Sequence, residues 1–229
     1  MKTFPRLTRE SAKDYALRVI KENIVTWELV PGEVVSEKSL SEALGVSRAP
    51  IREALQELGK TGIITIYPQR GTVISELDYD RIREAEFLRR TVECAVIEEA
   101  CFTATDEDFL WFENNLALQK LYWSNISPIE QSRADKEFHK HLYEITKKMQ
   151  CYEAVQNLNI HFDRIRYAKF LSKNDVNLYK DHMSIFEAIR ERNPQKAIEA
   201  EKIHLSRYQI EVEDIEKVSR ALINRVSAK

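Results

Sequence analysis

The chain has few of the residues that interrupt helices, with only 5 glycines and 6 prolines among its 229 residues. Long irregular segments are therefore unexpected, and the scarcity favours helix. The sequence also has no run of 18 apolar residues, which argues against a membrane-spanning helix. Its opening residues, MKTFPRLTRE, contain no apolar signal segment, so we expect a cytoplasmic protein.

Cysteine is equally scarce. The three cysteines, Cys94, Cys101 and Cys151, form no closely spaced pair. Buried thiols in a reducing cytosol are the simple interpretation.

Neither sign of charge dominates, because the chain has 35 Lys and Arg residues and 37 Asp and Glu residues, which gives a net charge of -2 at pH 7. The distribution is uneven, since residues 1–75 carry a net charge of +2 and the remainder carries -4. There is no polybasic tail. Any contact with nucleic acid must therefore come from a few placed side chains rather than from bulk charge.

The first 76 residues combine three helical segments with one hairpin. Apolar spacing predicts helices over 10–28 and 38–44, and Ser47 can cap a third helix that runs to about residue 60. The β-branched runs 63–67 and 72–74 flank a turn and predict a β-hairpin. Helices, a tight turn and a hairpin wing are the parts of a winged helix-turn-helix, which predicts a DNA-binding domain over 1–76.

From residue 78 onward the apolar spacing is helical throughout. It predicts an all-α helical bundle as a second domain over residues 77–229, and hence a mainly α chain. The helices are expected near 78–103, 106–124, 130–148, 150–171, 175–192, 194–212 and 214–226.

The start of the third helix carries the residues best placed to read DNA. In a winged helix-turn-helix this end enters the major groove, and here it begins at Ser47. Arg48 and Arg52 are four residues apart and share one exposed face, where a guanidinium suits guanine or a phosphate. The tip of the hairpin, Arg70-Gly71, can reach the adjacent backbone or minor groove. Taken alone, such an arginine pair is more often a solvated helix face.

Four side chains of the second domain form a possible metal-binding set. Asp135 and His139 are four residues apart and can point inward together, while His182 and His204 lie on the apolar faces of two other helices. Such a set suits a borderline divalent ion, and we expect Zn or Ni before Mn, Co or Fe. A six-coordinate ion would keep two positions open for an anionic ligand. An inward histidine is, however, more often a core residue than a ligand.

The stretch LSEALGVSRAPIREALQELGKTGIITIYPQRGTVIS closely resembles the DNA-binding signature of the GntR superfamily of transcription regulators. The preceding LVPGEVVSEKSL looks like the segment that enters this signature, so the resemblance covers about residues 10–75. It implies DNA contacts from Lys38, Arg48, Arg52 and Gly71. In one respect the chain departs from the pattern, because many members have a glycine near Trp27, where this chain has none.

The second domain resembles the FCD domain of the FadR-type branch, through FLRRTVECAVIEEA, ADKEFHKHLYEIT and DHMSIFEAIRERNPQKAIEAEKIHL. In that family one Asp and three His positions bind a metal ion, and they match Asp135, His139, His182 and His204. Arg89 falls where the pattern has an inward arginine, which could clamp the carboxylate of an effector. The alternative for Arg89 is a salt bridge on the domain surface.

Two histidines and two arginines are lesser candidates. His141 faces away from the preceding histidine on its helix and is expected at the surface, and His161 is expected to pack or hydrogen-bond rather than ligate. Arg164 and Arg166 are weaker candidates than Arg89 for contact with an effector.

These features predict an effector-controlled DNA-binding transcription regulator rather than an enzyme. The resemblance implies a homodimer on a palindromic double-stranded DNA operator, with repression as the usual outcome. The charge of the metal site favours a small organic acid as the effector. Two alternatives stay open: a regulator that responds to the metal alone, and a metal-dependent hydrolase in which the ion activates water.

Overall fold

The computed structural model describes residues 1–124, 128–171 and 178–206. It confirms a mainly helical chain with one small sheet. The helices are α1 (Ala12–Val25), α2 (Glu37–Leu44), α3 (Arg48–Lys60), α4 (Tyr79–Thr103), α5 (Asp106–Ser124), α6 (Pro128–Ile145), α7 (Met149–Leu158), α8 (Ile160–Leu171), α9 (Leu178–Arg190) and α10 (Pro194–Ser206). The strands are β1 (Val34–Val35), β2 (Ile64–Tyr67) and β3 (Gly71–Ile74).

The chain forms two compact units. Among the described residues, the first contains Met1–Tyr79 together with Asp163–Ala168, and the second contains Asp80–Phe162 and the residues from Lys169 onward. The sequence predicted a single boundary after residue 76. The structure instead places one segment of α8, Asp163–Ala168, in the first unit. Within the described ranges, every helix is too short or too polar to cross a membrane.

The helices of the first unit begin and end where local capping chemistry places them. The Ser36 side chain accepts a hydrogen bond from the Ser39 amide at the start of α2, and the Ser39 side chain caps the Ser36 amide in return. Gly45 ends α2 in the left-handed region with a φ of 66°. Helix α1 packs on α3, and together they bury an apolar core of Ala16, Val19, Ile20, Ile24, Ile51, Leu55 and Leu58. This packing fixes which face of α3 is exposed.

The end of α1 shows why the predicted helix over 10–28 was too long. Ser11 caps the helix at its start, and Thr26 follows its last residue. Trp27 then adopts a φ of 59°, near the position where the GntR pattern often has glycine. The indole is 2% exposed and donates a hydrogen bond of 2.9 Å from Nε1 to the Arg164 carbonyl oxygen, so burial holds the strained residue in place.

The sheet has three strands rather than the two predicted from sequence. β3 lies between β1 and β2 and pairs with both in antiparallel fashion. Val34 pairs with Val73, and Val35 pairs with Thr72. The sequence did not predict β1, because two residues are too few to show an alternating pattern. It ties the hairpin to the segment that leads into α2.

Gly71 opens β3 in a conformation that other residues adopt only with strain. Its φ is +105°, and a Cβ built there would lie 3.0 Å from the Val35 carbonyl oxygen. We therefore expect Gly71→Ala to destabilise the protein by about 1–3 kcal/mol in denaturant unfolding. Gly59→Ala inside α3 is the matched control, since its Cβ would meet only the Ile66 side chain at 3.7 Å. It should leave stability unchanged or raise it, and an equal loss in both variants would contradict this prediction.

Helices α4, α5, α6, α9 and α10 form most of the second unit. α10 packs on α9, and α5 packs on both α6 and α9. Buried apolar side chains, including Phe112, Phe138, Tyr143 and Phe186, fill the space among them. The predicted helix over 150–171 is two helices, because α7 ends at Leu158 and Asn159 caps it before α8 begins. The predicted helix over 214–226 lies outside the described residues.

Candidate functional site

The N-terminal end of α3 presents its polar side chains on one exposed face. Ile51 and Leu55 are buried on the opposite side, which leaves Arg48 and Arg52 exposed. Ser47 is the N-cap residue as predicted, but in this described segment its side chain makes no capping hydrogen bond. The hydroxyl is therefore not committed to the helix, and its contact with a phosphate stays a prediction.

The other residues predicted to contact DNA also reach the surface of the first unit. Lys38, in the first turn of α2, is 68% exposed, and its Nζ is 3.9 Å from Glu42 Oε1. Arg70 is exposed in the turn before β3, and Gly71 is half-buried where β3 begins. Their individual contacts with DNA stay a prediction.

Sequence reasoning missed Glu37, which orients Arg52. The guanidinium donates two hydrogen bonds of 2.8 Å to the carboxylate, from Nε to Oε1 and from Nη2 to Oε2. These hydrogen bonds, with a smaller contribution from the charge of Arg48, hold the pKa of Glu37 below its ordinary value. The two residues are 15 positions apart, so only the packing of α2 on α3 brings them together.

We expect Glu37→Gln to weaken base discrimination without unfolding the protein. A bidentate carboxylate fixes the direction of a guanidinium, and a neutral amide holds it less firmly. The ratio of Kd for random DNA to Kd for a selected operator should fall several-fold, while the melting temperature changes little because exposed ion pairs contribute little to folding. Glu57→Gln is the control, because Glu57 pairs with Lys13 and Lys60, neither of which is predicted to contact DNA. An equal fall in both variants would refute a specific role.

The four side chains predicted to bind a metal converge at one point inside the second unit. Asp135 and His139 lie on α6, His182 on α9 and His204 on α10, and none is more than 3% exposed. His139 Nε2 is 3.1 Å from His204 Nε2 and 3.2 Å from His182 Nε2. Asp135 Oδ1 is 3.7 Å from His182 Nε2. Two nitrogens bound to one zinc ion lie about 3.0–3.4 Å apart, so this spacing fits a shared ion.

The far nitrogen of each imidazole in this histidine cluster faces a side-chain oxygen. The distances from Nδ1 are 2.7 Å for His182 to Gln119 Oε1, 3.2 Å for His139 to Glu93 Oε2, and 3.8 Å for His204 to Asp181 Oδ2. A neutral imidazole carries one proton, and an acceptor at Nδ1 favours the Nδ1–H form, which leaves Nε2 as an acceptor. Two Nε2 lone pairs that face each other at 3.1–3.2 Å repel one another, and a cation between them would remove the repulsion.

Burial keeps two of these imidazoles neutral. It lowers the pKa of His182 well below its ordinary value, and the neighbouring histidines add to the effect. Burial also lowers the pKa of His204 to about 4, although a contact with Asp181 opposes the shift. Both rings are therefore neutral near pH 7, which is the form that binds metals.

Arg89 lies inside the unit, 3% exposed, so the alternative of a surface salt bridge is wrong. Its Nε is 3.1 Å from both carboxylate oxygens of Glu93. Burial opposes ionisation of Glu93, but the charge of Arg89 outweighs it and holds the Glu93 pKa well below its ordinary value. Arg89 is thus connected to His139 through Glu93, a residue to which the sequence analysis gave no role. Its contact with an effector stays a prediction.

Glu201 is a further residue beside the cluster that the sequence analysis passed over. It is completely buried on α10, and its carboxyl forms a close group with Glu93 and His139. Burial raises the pKa of Glu201 well above its ordinary value, and the negative charge of Glu93 adds to the shift. Glu201 is therefore a neutral acid beside an ionised carboxylate. Glu201 lies three residues before His204 on the same helix face, and this spacing could have indicated from sequence that it lies beside the cluster.

The expectation for His141 needs correction. It lies outside the histidine cluster, but its ring is half-buried rather than on the open surface. The ring stacks on Trp111 with centroids 4.0 Å apart, and its Nε2 is 3.0 Å from Asp108 Oδ1. The physical reason is that α5 packs against α6 and covers this face.

The remaining candidates are all buried. His161 is 1% exposed, as expected for a packed side chain. Arg164 belongs to the first unit, where its Nη1 donates a 2.9 Å hydrogen bond to the Ser75 carbonyl oxygen. Arg166 pairs with Asp163 at 2.9 Å. These interactions give both arginines structural partners, and an effector contact from either stays a prediction.

The two units define a class, a winged helix-turn-helix regulator with a helical second domain. A family model described as bacterial regulatory proteins, gntR family, matches residues 15–74, and the FCD domain model matches residues 84–207. The chain therefore belongs to the GntR family and carries an FCD domain. It is a DNA-binding transcription regulator, as the sequence predicted, and not an enzyme.

Individual relatives agree with this assignment. The HTH-type transcriptional repressor RspR of Escherichia coli (strain K12) is 31% identical over 190 residues, which cover 82% of this chain and 83% of RspR. The HTH-type transcriptional repressor NanR of Cronobacter sakazakii (strain ATCC BAA-894) is 28% identical over 223 residues, which cover 87% of this chain and 85% of NanR. The solved structure of E. coli McbR/YncC matches with a TM-score of 0.76 at 16% identity, over 92% of this chain and 98% of that chain, and supports the fold alone.

Proposed function

We propose that this regulator is a repressor that binds a palindromic operator as a homodimer and is controlled through a divalent metal ion in its FCD domain. The names of RspR and NanR as repressors support the direction of control. A two-fold dimer suits two half-sites. The observation that carries the metal proposal is the approach of two imidazole Nε2 atoms to 3.1 and 3.2 Å from His139 Nε2, beside a buried carboxylate.

Asp135, His139, His182 and His204 would hold the ion. Three imidazoles and one carboxylate suit Zn or Ni, with Mn, Co or Fe as further options. When bound, the ion supplies a Lewis-acidic charge that can attract an additional ligand. Arg89 offsets the charge of Glu93, and Glu201 is neutral, so a loaded site keeps a net charge of about +1. A small organic acid is therefore the effector that we propose.

A small cavity beside Asp135 marks where such a ligand would approach. It is lined by Gln119, Trp123, Gln131, Asp135, Leu178 and Tyr179, and its volume is about 10 Å³. This is room for about one water molecule, so an organic acid must displace some of these side chains. The ligand would control DNA binding only to the extent that it prefers one arrangement of the DNA-binding domains over the other.

The narrowness of this cavity also favours a second candidate, a regulator that responds to the metal ion alone. In that case the ion itself would shift the conformational equilibrium, and no organic ligand would be needed. The two candidates differ in whether DNA affinity depends on an organic acid at constant metal concentration.

A thermal-shift screen against small organic acids, with metal-loaded and chelator-treated protein, tests the proposal. An acid at 100 times its Kd should add about 2.7 kcal/mol to the stability of the metal-loaded protein and little to the chelator-treated protein. The same acid should then change operator affinity. Equal stabilisation of both forms would refute the metal as anchor. If no acid acts and DNA affinity follows metal concentration, the second candidate is correct.

A further inference from the structure

The position of one proton decides whether His182 can bind a metal ion in the histidine cluster. His182 Nε2 faces the cluster, 3.2 Å from His139 Nε2, and Nδ1 is 2.7 Å from Gln119 Oε1. A neutral imidazole with its proton on Nδ1 offers a lone pair at Nε2, whereas the other tautomer offers N–H and cannot ligate there. The group opposite Nδ1 therefore determines the chemistry of Nε2.

Hydrogen bonds of two buried amides on α5 determine whether Gln119 presents its oxygen or its nitrogen to His182 Nδ1. Gln119 Nε2 donates a 2.6 Å hydrogen bond to Asn115 Oδ1, and Asn115 Nδ2 donates a 3.1 Å hydrogen bond to the Ala134 carbonyl oxygen. Gln119 and Asn115 are each 6% exposed, and they lie one helical turn apart. A backbone carbonyl can only accept, so it defines the orientation of Asn115, which defines that of Gln119.

The series of hydrogen bonds therefore has a single favourable direction. Turning Asn115 over would place its oxygen against the Ala134 carbonyl oxygen and its N–H against the Gln119 N–H, and turning Gln119 over would place its oxygen against Asn115 Oδ1. In the favourable direction Gln119 presents Oε1 to His182, and the imidazole proton lies on Nδ1. The last acceptor belongs to the residue that precedes Asp135, so the same series links α5 to the part of α6 that carries another candidate ligand.

We infer that Asn115 and Gln119 are positioning residues that hold His182 in its Nδ1–H tautomer and thereby set the metal affinity of the site. The inference rests on the proposed function for its consequence but not for its geometry. Asn115 would act at a distance, because its effect on the metal passes through Gln119 and His182. Loss of partners of this kind typically lowers metal affinity by about 10- to 100-fold.

The first test reads the tautomer of His182 directly in metal-free protein. Long-range nitrogen–proton correlation spectra of the full chain distinguish the two tautomers, and five histidines keep the spectrum simple. His182→Ala identifies the signal by its disappearance. The wild type is expected to show His182 in the Nδ1–H form at pH 8. Asn115→Leu should introduce the other tautomer although Gln119 is still present, because Gln119 is then able to turn over.

The second test measures zinc affinity by competition with a chelator. Gln119→Leu and Asn115→Leu should each bind zinc about 10- to 100-fold more weakly. In the Asn115→Leu background, Gln119→Glu presents an acceptor to Nδ1 whichever way its carboxylate turns, and it should restore the Nδ1–H tautomer and most of the affinity, which separates positioning from a loss of folding. Asn114→Leu is the matched control, since Asn114 is an exposed neighbour on the same helix.

The outcomes separate this inference from the proposed function. If wild-type protein shows the Nδ1–H tautomer but binds no metal, the proposed metal control fails and the positioning role stands. The positioning role is wrong if His182 has its proton on Nε2, or if Asn115→Leu changes neither the tautomer nor the zinc affinity. Either result is independent of whether the protein binds a metal ion.

Discussion

Replacing His182 by alanine is expected to remove nearly all of the stabilisation that a divalent ion gives this protein. Zinc at 100 times its Kd should stabilise the wild-type fold by about 2.7 kcal/mol. For a chain of this size, that is an increase of about 5–10 °C in melting temperature. If loss of a ligand weakens binding 100-fold or more, the same zinc concentration stabilises the variant by at most about 0.4 kcal/mol. Melting curves with zinc and with chelator give both values.

The zinc-dependent increment is the quantity to compare, because deletion of a fully buried ring also leaves a cavity and lowers the stability of the metal-free protein. His141→Ala is the matched control. It removes a histidine ring from α6 that lies outside the histidine cluster, packed on Trp111. Its increment should equal that of the wild type. An increment that survives in His182→Ala would place the metal elsewhere and refute the proposed site.

The second large effect is expected on DNA. Arg48→Ala and Arg52→Ala should each weaken binding to an operator selected from random DNA by about 5- to 150-fold, the range expected for loss of a good arginine contact. Both side chains are exposed on the face of α3 opposite its buried residues, so neither change should unfold the protein. Fluorescence anisotropy at several salt concentrations measures the effect.

The pattern of loss distinguishes the roles of the two arginines. Loss of an arginine that reads a base removes discrimination at one operator position. Loss of an arginine that binds a phosphate weakens binding to all sequences alike, and it lowers the slope of the logarithm of affinity against the logarithm of salt concentration by about one. Arg133→Ala is the control, because Arg133 is exposed on the second unit and pairs with Glu130. Loss of affinity no larger than that of the control would show that α3 does not enter the groove as predicted.

The helix-turn-helix and the order of helices could be predicted because their signals are local. Ser36, Gly45 and Ser47 mark helix ends within a few residues of the feature that they cap. Buried residues recur at helical spacing, as at Ile51, Leu55 and Leu58. The strand β1 could not be predicted, since Val34–Val35 are defined only by their pairing with β3.

The candidate metal set was also accessible from sequence, since spacing placed Asp135 and His139 on one helix face and the FCD resemblance added His182 and His204. The residues around the set were not. Glu93 and Gln119 lie on α4 and α5, and their contacts with His139 and His182 depend on how those helices pack. The same packing buries Arg89 against Glu93 and brings Trp111 onto His141.

The sequence by itself thus determined the family, the mainly helical fold, the exposed face of α3 and the identity of the four converging side chains. The fold and the exposed face follow from short-range periodicity and capping, and the family and the full set of four side chains follow from the resemblance of the motifs. None of these requires knowledge of how helices pack. Only the tertiary structure decided that Glu37 holds Arg52, that burial holds Trp27 at a positive φ, and that Gln119 Oε1 lies beside His182 Nδ1. Those depend on distances between residues far apart in the chain, and such distances are set by packing.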